Sequence, residues 1–200
     1  INLLSRFYEF ETGEICLDDR SIKEYVLNSL RKHVGIVLQD VFLFADTIYN
    51  NITLYNPKVN RTIVEEAAKQ IGVHEFIESL PGGYDYNVKE RGVMLSSGQR
   101  QLIAFLRVYI SNPSVLVLDE ATSSIDSHSE ELIENATRKI TSNKTSILIA
   151  HRLSTIKNAD RIVVVDSGKI VEIGSHKELL KIKDGFYAQL YKIQFLEEAV

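Results

Sequence analysis

The chain has 200 residues, of which 44% are hydrophobic and 25% are charged, as is usual for a globular protein with a real core. Its net charge of -4 argues against a nucleic-acid-binding surface, and its single cysteine, Cys16, excludes an internal disulfide and suits a reducing compartment. The sequence contains no apolar run near the roughly 20 residues of a membrane span and no recognisable signal peptide.

The first ten residues have helical periodicity but no N-cap residue ahead of them. The helical face would carry Leu3, Leu4, Phe7 and Phe10. This pattern predicts a helix whose first turn is missing. Because the chain does not begin with methionine and its only methionine is Met94, we expect it to have been cut from a longer chain.

Three short apolar runs predict buried strands, and each of them ends in polar residues. Residues 34–38 are followed by Gln39, a second run ends in Asp119 and Glu120, and a third ends at His151. Helical patterns separate these runs, which predicts βαβ units and a largely parallel sheet. Ligands of such sheets bind beyond the carboxyl ends of the strands, so, if these three strands are neighbours, their polar ends would line one crevice.

Four helical segments are predicted around the strands. They cover residues 63–71, 98–110, 129–140 and 154–158. A turn at residues 81–83 precedes the second helix, and Asn112-Pro113 ends it. Residues 161–174 predict a hairpin, and Ser175 with Glu178 has capping-box spacing for a last helix.

The stretch Leu-Ser-Ser-Gly-Gln at residues 95–99 stands where the second helix begins. Backbone N–H groups at a helix start carry partial positive charge and bind phosphate oxygens. Ser96 adds a hydroxyl, and Gly98 allows the backbone to approach a ligand closely. Taken alone, however, such a motif is more often a serine-capped structural helix.

The carboxylates after the second strand suit metal and water chemistry. Asp119 offers the oxygen ligand that Mg²⁺ prefers, and Glu120 is placed to orient or deprotonate a water molecule. The alternative is a strand that simply ends in a solvated acidic turn. His151 and Gln39, taken singly, are equally compatible with structural and surface roles.

The order of these motifs resembles the nucleotide-binding domain of ATP-binding-cassette (ABC) proteins over essentially the whole chain. The matching positions are Gln39 for the Q-loop, residues 95–99 for the signature motif, residues 115–120 for the Walker B strand, residues 123–126 for the D-loop and His151 for the switch histidine. The resemblance implies a P-loop-NTPase-like α/β fold, with a mainly parallel sheet, flanking helices and an α-helical signature subdomain. Residues 40–110 would form the Q-loop and helical part, and residues 111–200 the remainder of one partial domain.

Two segments resemble exporter-type cassettes, which are fused to a membrane domain. Residues 39–52 follow the Q-loop as in those proteins, and residues 87–92 resemble their T-x-V-G-E-R-G segment. Asn87 and Lys89 depart from that pattern, whereas Glu90 retains the acidic position. The resemblance therefore implies a contact with the coupling helices of a membrane domain near Glu90.

The resemblance also implies a mechanism with ATP and Mg²⁺ as cofactors. Asp119 and Gln39 would hold the metal, Glu120 would direct the water, and His151 would contact the γ-phosphate. A second cassette would pack head to tail, and Asp126 would couple the two sites. The signature motif would contact the partner's ATP through Leu95, Ser96, Ser97, Gly98 and Gln99. The parent would be an ATPase at the cytoplasmic face of the cell membrane that exports a lipid, drug or peptide.

One motif of the family, the phosphate-binding loop G-x-x-x-x-G-K-[ST], does not occur in these 200 residues. The only Gly-Lys pair, Gly168-Lys169, falls in the predicted hairpin turn. We therefore expect that loop and the N-terminal strands to lie upstream, and this chain alone to be inactive. Two alternatives are a soluble non-transporter ABC ATPase, which would lack the segment at residues 41–52, and a non-catalytic, partner-binding cassette fragment.

Overall fold

A computed structural model describes residues 1–119, 127–149 and 156–197. The chain divides into two compact units, Ile1–Ile149 and Ala150–Val200. No helix in these described ranges is both long and apolar enough to cross a membrane. Each unit has its own hydrophobic core.

The first unit is built on a parallel sheet of three strands. A short antiparallel pair, β1 (Cys16–Leu17) and β2 (Arg20–Ser21), precedes it. The sheet itself contains β3 (Val34–Val37), β4 (Val115–Asp119) and β5 (Thr145–Ile149) in the order β3-β4-β5. Its strands are parallel, which confirms the sheet predicted from the three apolar runs.

Six α-helices of this unit are described. They are α1 (Leu27–His33), α2 (Ile48–Thr53), α3 (Arg61–Ile71), α4 (His74–Glu78), α5 (Ser97–Ser111) and α6 (Ser127–Thr141). The predicted helices at 63–71, 98–110 and 129–140 correspond to α3, α5 and α6. Local signals set their ends: the Asn60 side chain accepts a hydrogen bond from Ile63 N–H at the start of α3, and left-handed Asn112 ends α5.

Apolar residues cover both faces of the sheet because successive strand residues point in opposite directions. Leu116 and Leu118 of β4 belong to the larger core, which also holds the buried face of α5. Val115 and Val117 belong to a second core with Leu30 of α1. The central strand is therefore buried on both faces, as its uninterrupted apolar sequence predicts.

The second unit contains an antiparallel hairpin and two helices. Its strands are β6 (Ile162–Asp166) and β7 (Lys169–Gly174), and its helices are α7 (His176–Leu179) and α8 (Phe186–Glu197). The Ser175–Glu178 capping box is present at the start of α7. The Glu172 carboxylate accepts hydrogen bonds from the N–H groups of Phe186 and Tyr187 at 2.7 and 3.0 Å, which caps α8.

Two expectations about local structure were wrong and one is only partly described. Residues 1–10 form turns, not a helix, because the Arg6 guanidinium donates to the carbonyls of Ile22 and Tyr25 while the Arg6 backbone has a φ of 50°. Tertiary contacts thus override the helical pattern. The capped helix α7 is not the last, since α8 follows it. The predicted helix at 154–158 is described only from residue 156.

Candidate functional site

The strand order brings the carboxyl ends of β3, β4 and β5 to one edge of the sheet. Val37 pairs with Leu118, and Asp119 pairs with Ile149. Gln39 follows β3 after one intervening residue and is exposed, whereas the side chain of Asp119 is half-buried. Neighbouring strands lie about 4.8 Å apart, and the register Val37–Leu118 sets Asp119 level with Leu38, so Gln39 follows one position further along the same edge. The three strands are neighbours, which is the condition under which their polar ends would line one crevice.

Three predicted site residues lie outside the described residues: Glu120, Asp126 and His151. Their assigned roles therefore stay predictions. Asp119 and Gln39 supply a carboxylate and an amide oxygen, the donor types that Mg²⁺ accepts alongside water and substrate phosphates. Within the described ranges Asp119 forms no ion pair, and no three His, Cys, Asp or Glu side chains cluster as a metal site. These donors fit a metal ion that substrate phosphate helps to hold.

The start of α5 forms a capping box around the Leu-Ser-Ser-Gly-Gln motif. The Ser96 hydroxyl accepts a hydrogen bond from Gln99 N–H at 3.2 Å, and the Gln99 side-chain oxygen accepts one from Ser96 N–H at 3.0 Å. Neither Ser97 N–H nor Gly98 N–H has a partner among the described residues. The helix start therefore leaves two backbone donors unpaired beside the exposed Ser97 hydroxyl, a pattern that suits an anion, although Gly98 itself is buried.

The five predicted signature residues contribute in different ways. Leu95 is buried and anchors the motif, and its carbonyl accepts a hydrogen bond from Arg100 at 2.7 Å. The Gln99 side-chain oxygen accepts the capping hydrogen bond from Ser96 N–H. Any contact of Gln99 with an anion would therefore come from its side-chain NH2 group. Ser96 and Ser97 are exposed. The serine-capped helix and the anion site are thus compatible interpretations of one motif, since the cap occupies only part of its donors.

The segment ahead of the signature holds a strained backbone. Lys89, Arg91 and Gly92 have φ values of 60°, 53° and 69°, the left-handed region that non-glycine residues avoid. Glu90, Val93 and Met94 are exposed on this segment, and the exposed fractions of Val93 and Met94 are 69% and 55%. Strained backbone of this kind concentrates at functional sites, which supports a role for this segment as a contact surface.

Sequence reasoning missed a polar network beneath residues 41–44. The Arg107 guanidinium of α5 binds the backbone of Phe42 and Asn51 and the side chain of Asn51. The one available signal was a cationic residue within the apolar run of α5. Its partners lie more than 50 residues away, so no local pattern identifies them.

The comparison with known families identifies the family to which this chain belongs. Residues 1–123 match the family model described as ABC transporter. The chain belongs to the ABC transporter family. The family resemblance and the P-loop-NTPase-like fold predicted from the motifs are therefore confirmed.

Several relatives with high sequence similarity to this ABC domain are exporter proteins. The chain is 47% identical to a putative multidrug export ATP-binding/permease protein of Staphylococcus aureus strain NCTC 8325 over 196 residues. A protein of the same description from the bovine strain RF122 is likewise 47% identical. These alignments cover 98% of this chain and 34% of the relatives, so the ABC domain spans about a third of their length.

A solved structure gives the same picture in three dimensions. The chain is similar to a bacterial Atm1-family ABC exporter with ATP bound, with a TM-score of 0.87 and 44% sequence identity. The match covers 96% of this chain and 34% of that chain. The fold of this ABC domain is therefore that of an exporter's cassette.

Proposed function

We propose that the chain is the ATP-binding and ATP-hydrolysing domain of a membrane exporter. The observation that carries this proposal is the strand order β3-β4-β5, which puts Gln39 and Asp119 on one edge of the sheet in a member of the ABC transporter family. The named relatives are ATP-binding/permease proteins, and the solved neighbour has ATP bound. These matches support ATP as the ligand of that edge.

The residues at the strand ends would divide the work of hydrolysis. Mg²⁺ bound there would neutralise charge on the phosphates. Asp119 and Gln39 would hold it through oxygen atoms, and Gln39 would link that position to the membrane domain. Glu120 would orient the attacking water and accept its proton, and His151 would contact the γ-phosphate. Positioning and charge, not covalent chemistry, carry this kind of reaction.

A second cassette would complete each site. The donors left available at the start of α5, Ser97 N–H and Gly98 N–H, suit the γ-phosphate of an ATP held mainly by the partner. Asp126 would couple the two sites across this interface. The partner is either an identical chain or a related one, and in both cases the signature motif acts on the other subunit's nucleotide.

The membrane domain would sit against the segments at residues 41–52 and 89–94 at the cytoplasmic face of the cell membrane. The exporter-like sequence at residues 41–52 favours this arrangement over a soluble ABC ATPase. The names of the relatives favour a drug over a lipid or a peptide as the exported compound. A non-catalytic cassette is disfavoured because Asp119, Glu120 and His151 retain the residue types that hydrolysis needs.

The proposal is tested with Glu120→Gln in the full-length protein. This change keeps the side-chain shape and removes its charge, so we expect turnover of ATP to fall by at least about 100-fold while Mg-ATP still binds. Glu134→Gln is the matched control, since Glu134 is exposed on α6 and only 3.9 Å from Arg138 in a weak surface pair. Near-normal hydrolysis by purified Glu120→Gln protein would refute the assignment.

A further inference from the structure

Residues 42–44, the aromatic segment, alternate between outward and inward side chains. Phe42 and Phe44 are 55% and 51% exposed, and their rings meet edge to face with centroids 5.1 Å apart. Leu43 between them is fully buried. An extended stretch with this alternation presents two aromatic rings to solvent and anchors itself by the residue between them.

Asn51 of α2 binds the aromatic segment from inside. Its side chain is fully buried, and its amide nitrogen donates to the carbonyls of Phe44 and Thr47, each at 3.0 Å. Its side-chain oxygen accepts a hydrogen bond from Phe44 N–H at 2.8 Å. Asn51 thus satisfies both backbone groups of Phe44, which has no strand or helix neighbour to do so.

Arg107 of α5 holds Phe42 in a similar way. We call Arg107 and Asn51 together the bracket. Its Nη1 donates to the Phe42 carbonyl at 3.0 Å, its Nη2 donates to the Asn51 side-chain oxygen at 2.9 Å, and its Nε donates to the Asn51 carbonyl at 2.5 Å. Three donors of one planar guanidinium are used, a geometry that an ammonium group cannot reproduce.

Among the described residues, only neutral oxygen acceptors meet the charge of Arg107. None of the described ion pairs involves Arg107, and burial lowers its pKa to about 10, so it still carries a positive charge near neutral pH. Desolvating a cation without a carboxylate partner costs free energy, and an apolar side chain would fill the same space in α5 at lower cost. The presence of an arginine here therefore needs a reason, and its hydrogen bonds to Phe42 and Asn51 supply one.

We propose that Arg107 and Asn51 are positioning residues that hold Phe42 and Phe44 outward as the contact for the membrane domain. The inference rests on the proposed function, in which that domain is the partner, and on the permease part that the relatives' names record. Arg107 lies ten residues beyond Ser97 in the same helix, about 15 Å along its axis. A rigid α5 would therefore carry a displacement of the signature end directly to the aromatic segment.

Hydrogen exchange in the full-length protein in lipid nanodiscs tests the bracket itself. In Arg107→Lys we expect the Phe44 amide to exchange roughly tenfold faster or more, as follows from weakening hydrogen bonds to a charged group. Amides of α3 should keep their wild-type rates. Arg138→Lys, the same substitution at an exposed helix position, is the matched control. Unchanged exchange at Phe44, or equal acceleration in α3, would overturn the proposal.

ATP hydrolysis by the same proteins tests whether the bracket serves the contact with the membrane domain. Arg107→Lys should lower kcat by about 2- to 30-fold, the usual range for residues that transmit coupling, and leave the KM for ATP within twofold. Added to Phe42→Ala/Phe44→Ala, it should cause no further loss, because the side chains that it positions are already gone. A further loss there would indicate a general structural role and contradict the proposal.

The two measurements separate this inference from the proposed function. If the wild-type protein hydrolyses no ATP, the proposed function fails, whereas exchange at Phe44 still reports whether Arg107 holds the segment. If Phe42→Ala/Phe44→Ala hydrolyses ATP like the wild type, the bracket serves no docking contact and the inference fails while the ATPase stands.

Discussion

Gly92 combines a left-handed backbone with a crowded position. Its φ is 69°, and a Cβ atom there would lie 2.8 Å from Leu43 Cδ1 and 3.1 Å from Arg100 Cδ. Leu43 is fully buried, so it has little room to move away. Gly92 therefore allows the segment at residues 89–92 to pack closely against Leu43, the buried residue of the aromatic segment.

Alanine substitutions distinguish the two constraints at Gly92, which are the left-handed backbone and the close contact with Leu43. Gly92→Ala should lower the free energy of unfolding by about 2–5 kcal/mol, the sum of the left-handed backbone and overpacking costs. Gly72→Ala is the control, because Gly72 has a φ of 84° but no atom within 4 Å of its would-be Cβ, and should cost only about 1–2 kcal/mol. Urea unfolding measures both, and equal losses would show that the Leu43 contact is not restrictive.

The helix α5 is the element on which the assigned roles converge. Its first turn carries the capping box and the available N–H groups, its apolar face fills the larger core, and Arg107 reaches the aromatic segment. Burial of that face fixes the helix in place, so the direction of its N-terminal donors is set by the core and not by the motif alone. An element held this way transmits force along its axis with little bending.

Action of the signature on the partner's nucleotide is tested with mixed dimers carrying Ser96→Arg and Glu120→Gln. With both changes in one subunit and a wild-type partner, each composite site has one defect and hydrolysis should fall to near background. With one change in each subunit, both defects share one site and the other stays intact. We therefore expect clearly higher ATPase activity from the second arrangement.

Dimers purified by a different affinity tag on each subunit allow this comparison. Homodimers of either variant give the background rate. If the signature acted on its own subunit's nucleotide, the order of the two activities would be reversed, because the doubly substituted subunit would then leave its wild-type partner unaffected. Equal activities would also contradict action on the partner.

At the scale of the whole molecule, the described sheet ends at β5, which is partly exposed. Among the described strands β5 pairs only with β4, and its Ile147 and Ile149 are 46% and 42% exposed. An edge strand with exposed branched apolar residues is a surface that proteins normally pair or cover. These 200 residues also contain no phosphate-binding loop, so they would lack most of the backbone contacts to a nucleotide's phosphates.

Thermal melting tests the consequence for nucleotide binding. Ligand at 100 times its dissociation constant stabilises by about 2.7 kcal/mol, which raises the melting temperature of a domain this size by roughly 5–10 °C. We expect no such shift for residues 1–200 with millimolar Mg-ATP, but a full shift for a polypeptide extended upstream through a phosphate-binding loop. Replacing that loop's lysine with alanine is the control. Comparable shifts in the short and extended polypeptides would show that the nucleotide binds elsewhere.

Local patterns in the sequence determined the elements that now carry the site. The uninterrupted apolar run before Asp119 predicted the central strand, and Ser96 with Gln99 marked the start of α5, because burial on both faces and helix capping depend on residues close together in sequence. The hairpin around Ser167-Gly168 followed for the same reason. Short helices such as α2 were missed, since six residues hold too little periodicity to be recognised.

Only the tertiary structure decided how distant residues combine. The order β3-β4-β5 put Gln39 and Asp119 on one edge, and the contact of Arg6 with Ile22 and Tyr25 replaced a predicted helix by turns. Arg107 and Asn51 are 56 residues apart in sequence and meet only in the folded chain. Hydrogen bonds of that kind depend on the closure of long loops and on burial, so they leave no periodic signal in the sequence.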